Sequence, residues 1–485
     1  MIRIFTLYYS RYFPLTTLKT VTRLLTRLLR VFVIAAISLI TLHPVLLYSA
    51  DREKRLLTLQ ECVEIALQNS SSVKKAENAF RLQGSDLLKS YGQFLPKVSA
   101  SAGYIPLSVA RAYSDPESGS VSTTRTERVD LSLTTTLNLF NGFKDYASLQ
   151  SALNLREAAG FSLSRARQTI AYDVTQSYYQ VLLDTELLKI ERENLSSSND
   201  QLQLTKRQYE VGLKPVSDYY QQQAETANSE LAVIRAENNL RASRLELLRK
   251  LRLDPAEEIL AADIEKATLT SLPRSVDRDS LVTLGIANRK DLQSAVLTAE
   301  AAKWGVTGAS AQRYPKLDLA FSLNTGGYPY YTASADVPPS SYAFPPLTDQ
   351  LSDLLGYSLS LTVNWSIFDG FLTRYNVEQA KVNYLNQGLD AADLEDDIAI
   401  DIQLAVDNYS AGFTQIETAK HGLRAAEKAY ETVKKKYDLG AASFVEANAA
   451  KAALVRARSE YSRATYNLAL QKNILDFATG THPVE

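Results

Sequence analysis

The sequence predicts a mixed fold: a membrane β-barrel joined to a long α-helical coiled-coil barrel, in two duplicated halves that each run strand, strand, long helix, helix. Three observations predict it. Phe140-Asn141-Gly142-Phe143 returns as Phe368-Asp369-Gly370-Phe371, an offset of 368 − 140 = 228 residues. The same offset carries Asp173 onto Asp401, Tyr209 onto Tyr437, Gly212 onto Gly440, Asp218 onto Glu446 and Pro255 onto Pro483. Four segments alternate apolar with polar residues, and two proline-free runs extend from about Lys144 to Val211 and from about Leu372 to Leu439. A period this long describes a duplicated half-molecule, not a solenoid repeat.

The chain opens with a signal-peptide pattern over residues 1–50. Arg23, Arg27 and Arg30 precede an uncharged apolar run from Val31 to Leu42, then Ser49-Ala50 and the charged Asp51-Arg52-Glu53-Lys54. That order predicts export and cleavage near Ala50. An intact N-terminus on the purified protein would contradict it. Cys62 follows Leu59-Gln60-Glu61, with an acid where a lipid-anchor motif needs a small residue, so it reads as a buried helix position.

Residues 51–95 are expected to form N-terminal helices, 96–140 the first barrel hairpin and 141–255 the first long helical hairpin. The second half repeats this as linker and helices over 256–314, a barrel hairpin over 315–368, and a long hairpin with the C-terminus over 369–485.

The strands carry their apolar residues at every second position: Val98 to Tyr104, Val129 to Leu139, Leu317 to Leu323 and Tyr357 to Ile367. Period two gives one apolar and one polar face. The polar positions hold Ser, Thr and Asn rather than Lys and Glu, as suits a wet lumen. Aromatic residues at the ends (Tyr104, Phe140, Tyr357, Phe368) sit where interfacial girdles belong. The connections 106–127 and 325–356 read as long turn-rich loops. Four strands cannot close a barrel with a lumen, and lipid forbids open edges, so several chains must pool their strands.

Each proline-free run implies a helix about 100 Å long, followed by a return helix to about Leu251 and about Ala478. The stripes rich in Ala, such as Ala425, Ala426 and Ala429, suit close helix packing. Each turnaround reads Tyr-x-x-Gly, a short loop, then an acid: Tyr209 to Asp218 and Tyr437 to Glu446. Glycine in the left-handed conformation ends the outgoing helix, and Pro215 suits the first position of the return helix. Ser443-Phe444-Val445-Glu446 matches a capping box, which gives Glu446 a structural role. Repeated by symmetry, an acid at the tip also makes a negative ring at a pore mouth.

Together these motifs resemble the TolC family of outer-membrane efflux channels, from Leu57 to the C-terminus. Leu59-x-Glu61-x-x-x-x-Ala66-Leu67-x-Asn69 is similar to the family's opening helix. Ile286-Ala287-Asn288-Arg289-Lys290-Asp291-Leu292 resembles its Asn-Arg-Pro-Asp-Leu segment, with Lys290 in place of the proline. The resemblance implies a homotrimer with a twelve-stranded barrel in the outer membrane and a helical tunnel through the periplasm. It implies a periplasmic adaptor and an inner-membrane transporter as partners, in efflux or type I secretion. By motif position, Tyr437, Asp218 and Glu446 fall on the family's periplasmic pore tip. Gly212, Leu213, Gly440 and Ala441 fall on the turns that meet the adaptor, and Phe140, Gly142, Phe368 and Gly370 on the barrel–helix junctions. Ala442 and Ala449 stand where the family can carry an arginine and a second ring acid.

Other functions have little to stand on. With 53 Lys+Arg against 54 Asp+Glu, the chain has no broad basic footprint for nucleic acid. One cysteine excludes an intrachain disulfide or a Cys-based metal cluster. Beyond the signal segment the histidines are His421 and His482, with no phosphate loop or nucleophile elbow, so no cofactor, metal or catalytic site is expected. A periplasmic or surface coiled-coil scaffold or adhesin would explain the helices but leave the alternating strands unexplained.

Overall fold

The computed structural model describes residues 55–115, 119–257, 259–262, 277–334 and 345–482. The expected signal segment and Pro483 lie outside the described residues. Strand β1 (Arg55–Leu57) leads into α1 (Leu59–Asn69), α2 (Ser71–Gly92), β2 (Lys97–Asp115) and β3 (Ser120–Phe140). The long helix α3 (Lys144–Glu210) returns as α4 (Val216–Leu251), and β4 (Ile259–Ala261) pairs parallel with β1. The second half follows as α5 (Arg278–Asn288), α6 (Lys290–Ser310), β5 (Lys316–Ser334), a short α7 (Leu347–Asp353), β6 (Gly356–Asn364), α8 (Leu372–Asp438) and α9 (Phe444–Ala478). Both α3 and α8 have 67 residues, about 100 Å at 1.5 Å per residue.

The sheet order is β2-β3-β5-β6, antiparallel throughout. Its register sets Ala100, Leu133, Leu323 and Tyr357 side by side, and likewise Thr135, Phe321 and Leu359. The apolar positions of all four strands therefore share one face, and Ser101, Ser132, Asn324 and their neighbours share the other. Ser101 and Ser132 hydrogen-bond across strands on that polar face at 2.7 Å. The apolar face is exposed, Leu359 and Leu361 included.

Two expectations about the strands need correction. The segments 106–127 and 325–356 are not all loop: β2 runs to Asp115, β3 starts at Ser120, and β5 continues to Ser334. The alternation fades there because the extensions outrun the 9–11 residues a tilted strand needs to cross lipid, and past that point neither face must be apolar. β6 conversely stops at Asn364, short of Ile367. Trp365 instead donates its indole N–H to the Arg313 carbonyl at 3.2 Å.

Because β6 begins at Gly356, it pairs with β5 only up to Asn324. Above that point α7 lies along β5, and the Gln350 side-chain amide takes over. Its Oε1 accepts from the Tyr328 N–H at 2.8 Å, and its Nε2 donates to the Tyr328 and Pro345 carbonyls.

The duplication is written into the core. Val174 and Ile402, Leu240 and Leu468, and Leu247 and Leu475 are pairs at the 228-residue offset, all buried. The first of each pair sits in one apolar cluster with Cys62 and Tyr178, the second in another with Leu292 and Tyr409. Tyr178 donates its hydroxyl to the Leu57 and Ala262 carbonyls, tying α3 to the β1–β4 pair. Cys62 is fully buried, and that burial, with Glu61 adding to it, pushes its thiol up to about 12.

Strand becomes long helix in the same way twice. Gly142 and Phe143, then Gly370 and Phe371, are left-handed, with φ between 66° and 70°. Phe140 and Phe143 meet edge to face at 5.5 Å, as do Phe368 and Phe371 at 5.6 Å. The residue between, Asn141 or Asp369, accepts from the backbone N–H of Asp145 or Thr373 and so caps the helix.

The two junction glycines face different surroundings. A Cβ at Gly142 would run into the Ala311 carbonyl and come within 3.0 Å of Tyr314 Cβ, whereas none of the described residues comes within 4 Å at Gly370. Gly370→Ala should cost about 1 kcal/mol from backbone conformation alone. Gly142→Ala should cost roughly 3 kcal/mol, because the clash is with backbone. Equal losses in thermal melts of the two variants would contradict this packing. Cys62 should resist maleimide near neutral pH until the chain unfolds; rapid labelling of the folded protein would contradict its burial.

Candidate functional site

The hairpin tips carry the residues singled out by motif. Both outgoing helices end in the same six-to-one turn. Leu213 N donates to Gln208 O and Ala441 N to Lys436 O, both at 2.7 Å, with Gly212 and Gly440 left-handed at φ 75° and 73°. This is a Schellman cap, which glycine enters without a Cβ penalty. Pro215 is the residue before α4, one position earlier than expected, and Ser443 holds the equivalent place before α9.

Only the second return helix has a side-chain cap. Ser443 Oγ accepts from Glu446 N at 3.2 Å, and Glu446 Oε2 accepts from Ser443 N at 2.9 Å. The carboxylate is exposed while it caps. Asp218 has no such task, since Pro215 provides no side-chain acceptor. Its own N–H donates to the Pro215 carbonyl at 3.2 Å.

The paired tyrosines part company. Tyr209 is exposed and stacks on Tyr219 at 5.8 Å. Tyr437 is 6% exposed, set edge-on to Phe444 at 6.3 Å, with Lys214 Nζ 4.0 Å above its ring. Lys214 belongs to the first turn, so this cation–π contact joins one hairpin to the other. Burial raises the Tyr437 phenol, the nearby Asp218 carboxylate raises it further, and the neighbouring Thr205 hydroxyl offsets part of the rise. Even so, neither the Tyr437 nor the Thr205 hydroxyl meets hydrogen-bond geometry with any described residue.

The structure thus brings Tyr437 and Asp218 together and leaves Glu446 bonded to its own cap. Sequence reasoning missed Lys214 and Thr205, because a lysine in a turn and a threonine on a helix face carry no motif. The outermost side chains are apolar and open: Leu213 is 74% and Leu439 84% exposed, beside Val211 and Val445. Gly212, Gly440 and Ala441 are exposed with them.

A family model for outer membrane efflux proteins matches residues 62–251 and 281–481. The outer membrane protein TolC of Escherichia coli strain K12 is 22% identical over 458 residues, covering 88% of this chain and 87% of that protein. Nodulation protein T of Rhizobium leguminosarum bv. viciae is 23% identical over 414 residues, covering 85% and 78%. Among solved structures, the outer membrane protein VceC of Vibrio cholerae matches in fold with a TM-score of 0.72 at 17% identity, covering 87% of this chain and 96% of that one. The family model covers both copies of the duplication, and the chain belongs to the outer membrane efflux protein family.

Proposed function

We propose that three copies of this chain form the outer-membrane exit duct of a tripartite efflux or type I secretion system, passing substrates delivered by an inner-membrane transporter through a periplasmic adaptor. The observation that carries this reading is the four-stranded sheet, with an exposed apolar face, a Ser/Thr/Asn face, and β2 and β6 as its two edges. Such a sheet is stable in lipid only when its edges are paired, and three copies supply twelve strands around a polar lumen. The chain's own residues do no bond chemistry in this reading; they line, seal and open a path.

The tips serve as the gate in this proposal. Lys214 over the Tyr437 ring clamps the two hairpins of one protomer together, with the Asp218 carboxylate nearby. Glu446 from each copy places negative charge at the mouth. The apolar tip residues Leu213 and Leu439, with the turns at Gly212, Gly440 and Ala441, form the surface offered to the adaptor. Ala442 and Ala449 remove an arginine contact and a second ring of acids, so cation selectivity should be weaker than with two rings.

Single-channel recording of the detergent-extracted oligomer in a planar bilayer tests the duct. Small, mostly closed, cation-preferring events blocked by multivalent cations are expected. Large ungated conductance would overturn the tunnel, and a silent bilayer with verified insertion would favour a scaffold. Glu446→Gln keeps a hydrogen-bonding cap but removes the charge, so the half-blocking cation concentration should rise about tenfold. Unchanged block would remove Glu446 from the mouth. Ser443→Ala should cost about 1 kcal/mol of stability without that loss of block. In a double-mutant cycle, Lys214→Met and Tyr437→Leu should couple by about 0.5–1 kcal/mol, and additive effects would dismiss the clamp.

A further inference from the structure

Along β3 the apolar face runs from Leu139 up to Val129 at every second residue, then changes to Glu127, Arg125 and Thr123. The apolar stretch is 139 − 129 = 10 residue steps. At about 3.3 Å per step and a tilt of about 40°, it rises about 25 Å, the height of the lipid-facing band of an outer-membrane barrel. The upper border is marked on both sides of β3. Beside Glu127 the register with β2 shifts between Ile105 and Ser108, across Pro106, and the register with β5 shifts between Gly327 and Tyr330, across Pro329. Proline inside a strand belongs at such bulges, and bulges gather at barrel rims.

Two arginines stand just past that border. Val129, Arg125 and Thr123 share the outward face because they are an even number of residues apart on one strand, and Arg111 joins them because it pairs with Thr123. Arg125 pairs with Val109, so the two arginines are diagonal neighbours, about 7–8 Å apart along the ladder. Both are exposed, and neither has an ion-pair partner among the described residues. On the opposite, polar face Arg128 is held by Asp130 at 2.8 Å. Glu127 lies nearer the apolar band, where its carboxylate accepts from the Tyr104 hydroxyl at 3.4 Å. Between Val129 and the level of Thr123, the outward positions of β2, β3 and β5 therefore hold two cations and one acid.

Position decides what this pair meets. Arg125 lies four residues beyond Val129, about 10 Å above the apolar band, and arginine stems are long enough to reach back toward it. That is the level of lipid headgroups, and planar guanidinium groups grip phosphate oxygens two at a time. Thr123 and Thr332, the ladder partners of Arg111 and Arg125, add hydroxyls to the same face. We propose that Arg111 and Arg125 form a binding site for the phosphate of an outer-leaflet glycolipid headgroup. The site rests on the barrel reading, which turns this face toward lipid. A lipid held there fixes the height at which each copy rides in the membrane.

The test is native mass spectrometry of the detergent-extracted oligomer, titrated with diphosphoryl lipid A and separately with lipid A stripped of its phosphates. Saturable adducts of the phosphorylated lipid are expected, with much weaker binding of the stripped one. Arg111→Gln and Arg125→Gln each keep a polar side chain at an exposed position and should weaken the adducts about tenfold, the loss of one charge-assisted contact. Arg128→Gln, on the polar face, should leave them unchanged, and so should a large excess of inorganic phosphate. Absence of saturable adducts, equal binding of the two lipids, or binding that neither Arg111→Gln nor Arg125→Gln alters would overturn the site. An equal loss in Arg128→Gln would overturn its placement on the outward face. Displacement by inorganic phosphate would overturn the lipid as occupant and leave a free-phosphate site. An oligomer that inserts and conducts but gives any of these results overturns the site alone, whereas a chain that never enters a bilayer overturns the barrel reading and the site with it.

Discussion

Two successive left-handed residues, placed where each hairpin of strands gives way to a long helix, set the geometry on which everything downstream depends. A phenylalanine at positive φ costs on the order of 1–2 kcal/mol. The strain is offset locally by an edge-to-face partner three residues back and by an Asx side chain that caps the new helix. The leverage is large. An error of about 10° in the direction taken at Gly142-Phe143 would displace the far end of a helix about 100 Å long by roughly 17 Å. The same conformation at Gly370-Phe371 launches the second helix, so the two hairpins can finish side by side with Lys214 above Tyr437.

Duplication supplied two identical plans, and the structure records where they diverged. The core stayed apolar at Val174 and Ile402 and unchanged at Leu247 and Leu475, where volume and burial leave little choice. The tips did not. A proline precedes one return helix and a capping serine the other, and one tyrosine is exposed while its twin is packed under a lysine. At the tips, where the two hairpins meet each other, divergence changed how each return helix is capped and how each tyrosine is packed.

The helices were legible because 67 residues without proline, closed by Tyr-x-x-Gly, admit few other readings. Their ends at Leu251 and Ala478 were equally plain, since the apolar pattern stops there. The upper halves of β2, β3 and β5 were hidden because a strand that leaves lipid keeps its backbone ladder but loses the need to alternate. Part of the candidate site was visible as motif: Tyr437, Asp218 and Glu446 could be placed at the tips by offset alone. The rest was not, because Lys214 and Thr205 acquire meaning only when residues more than two hundred positions apart are packed together.

Gln350 points to a different kind of economy. A strand edge in an exposed β-protein is a template on which further chains can grow. Along the upper part of β5 that template is occupied by a side-chain amide, which presents one donor and one acceptor to Tyr328 just as another strand would. The molecule thus carries its own stop signal for sheet growth. On this side of β5 the ladder with β6 ends at Asn324, and above it runaway stacking meets a dead end.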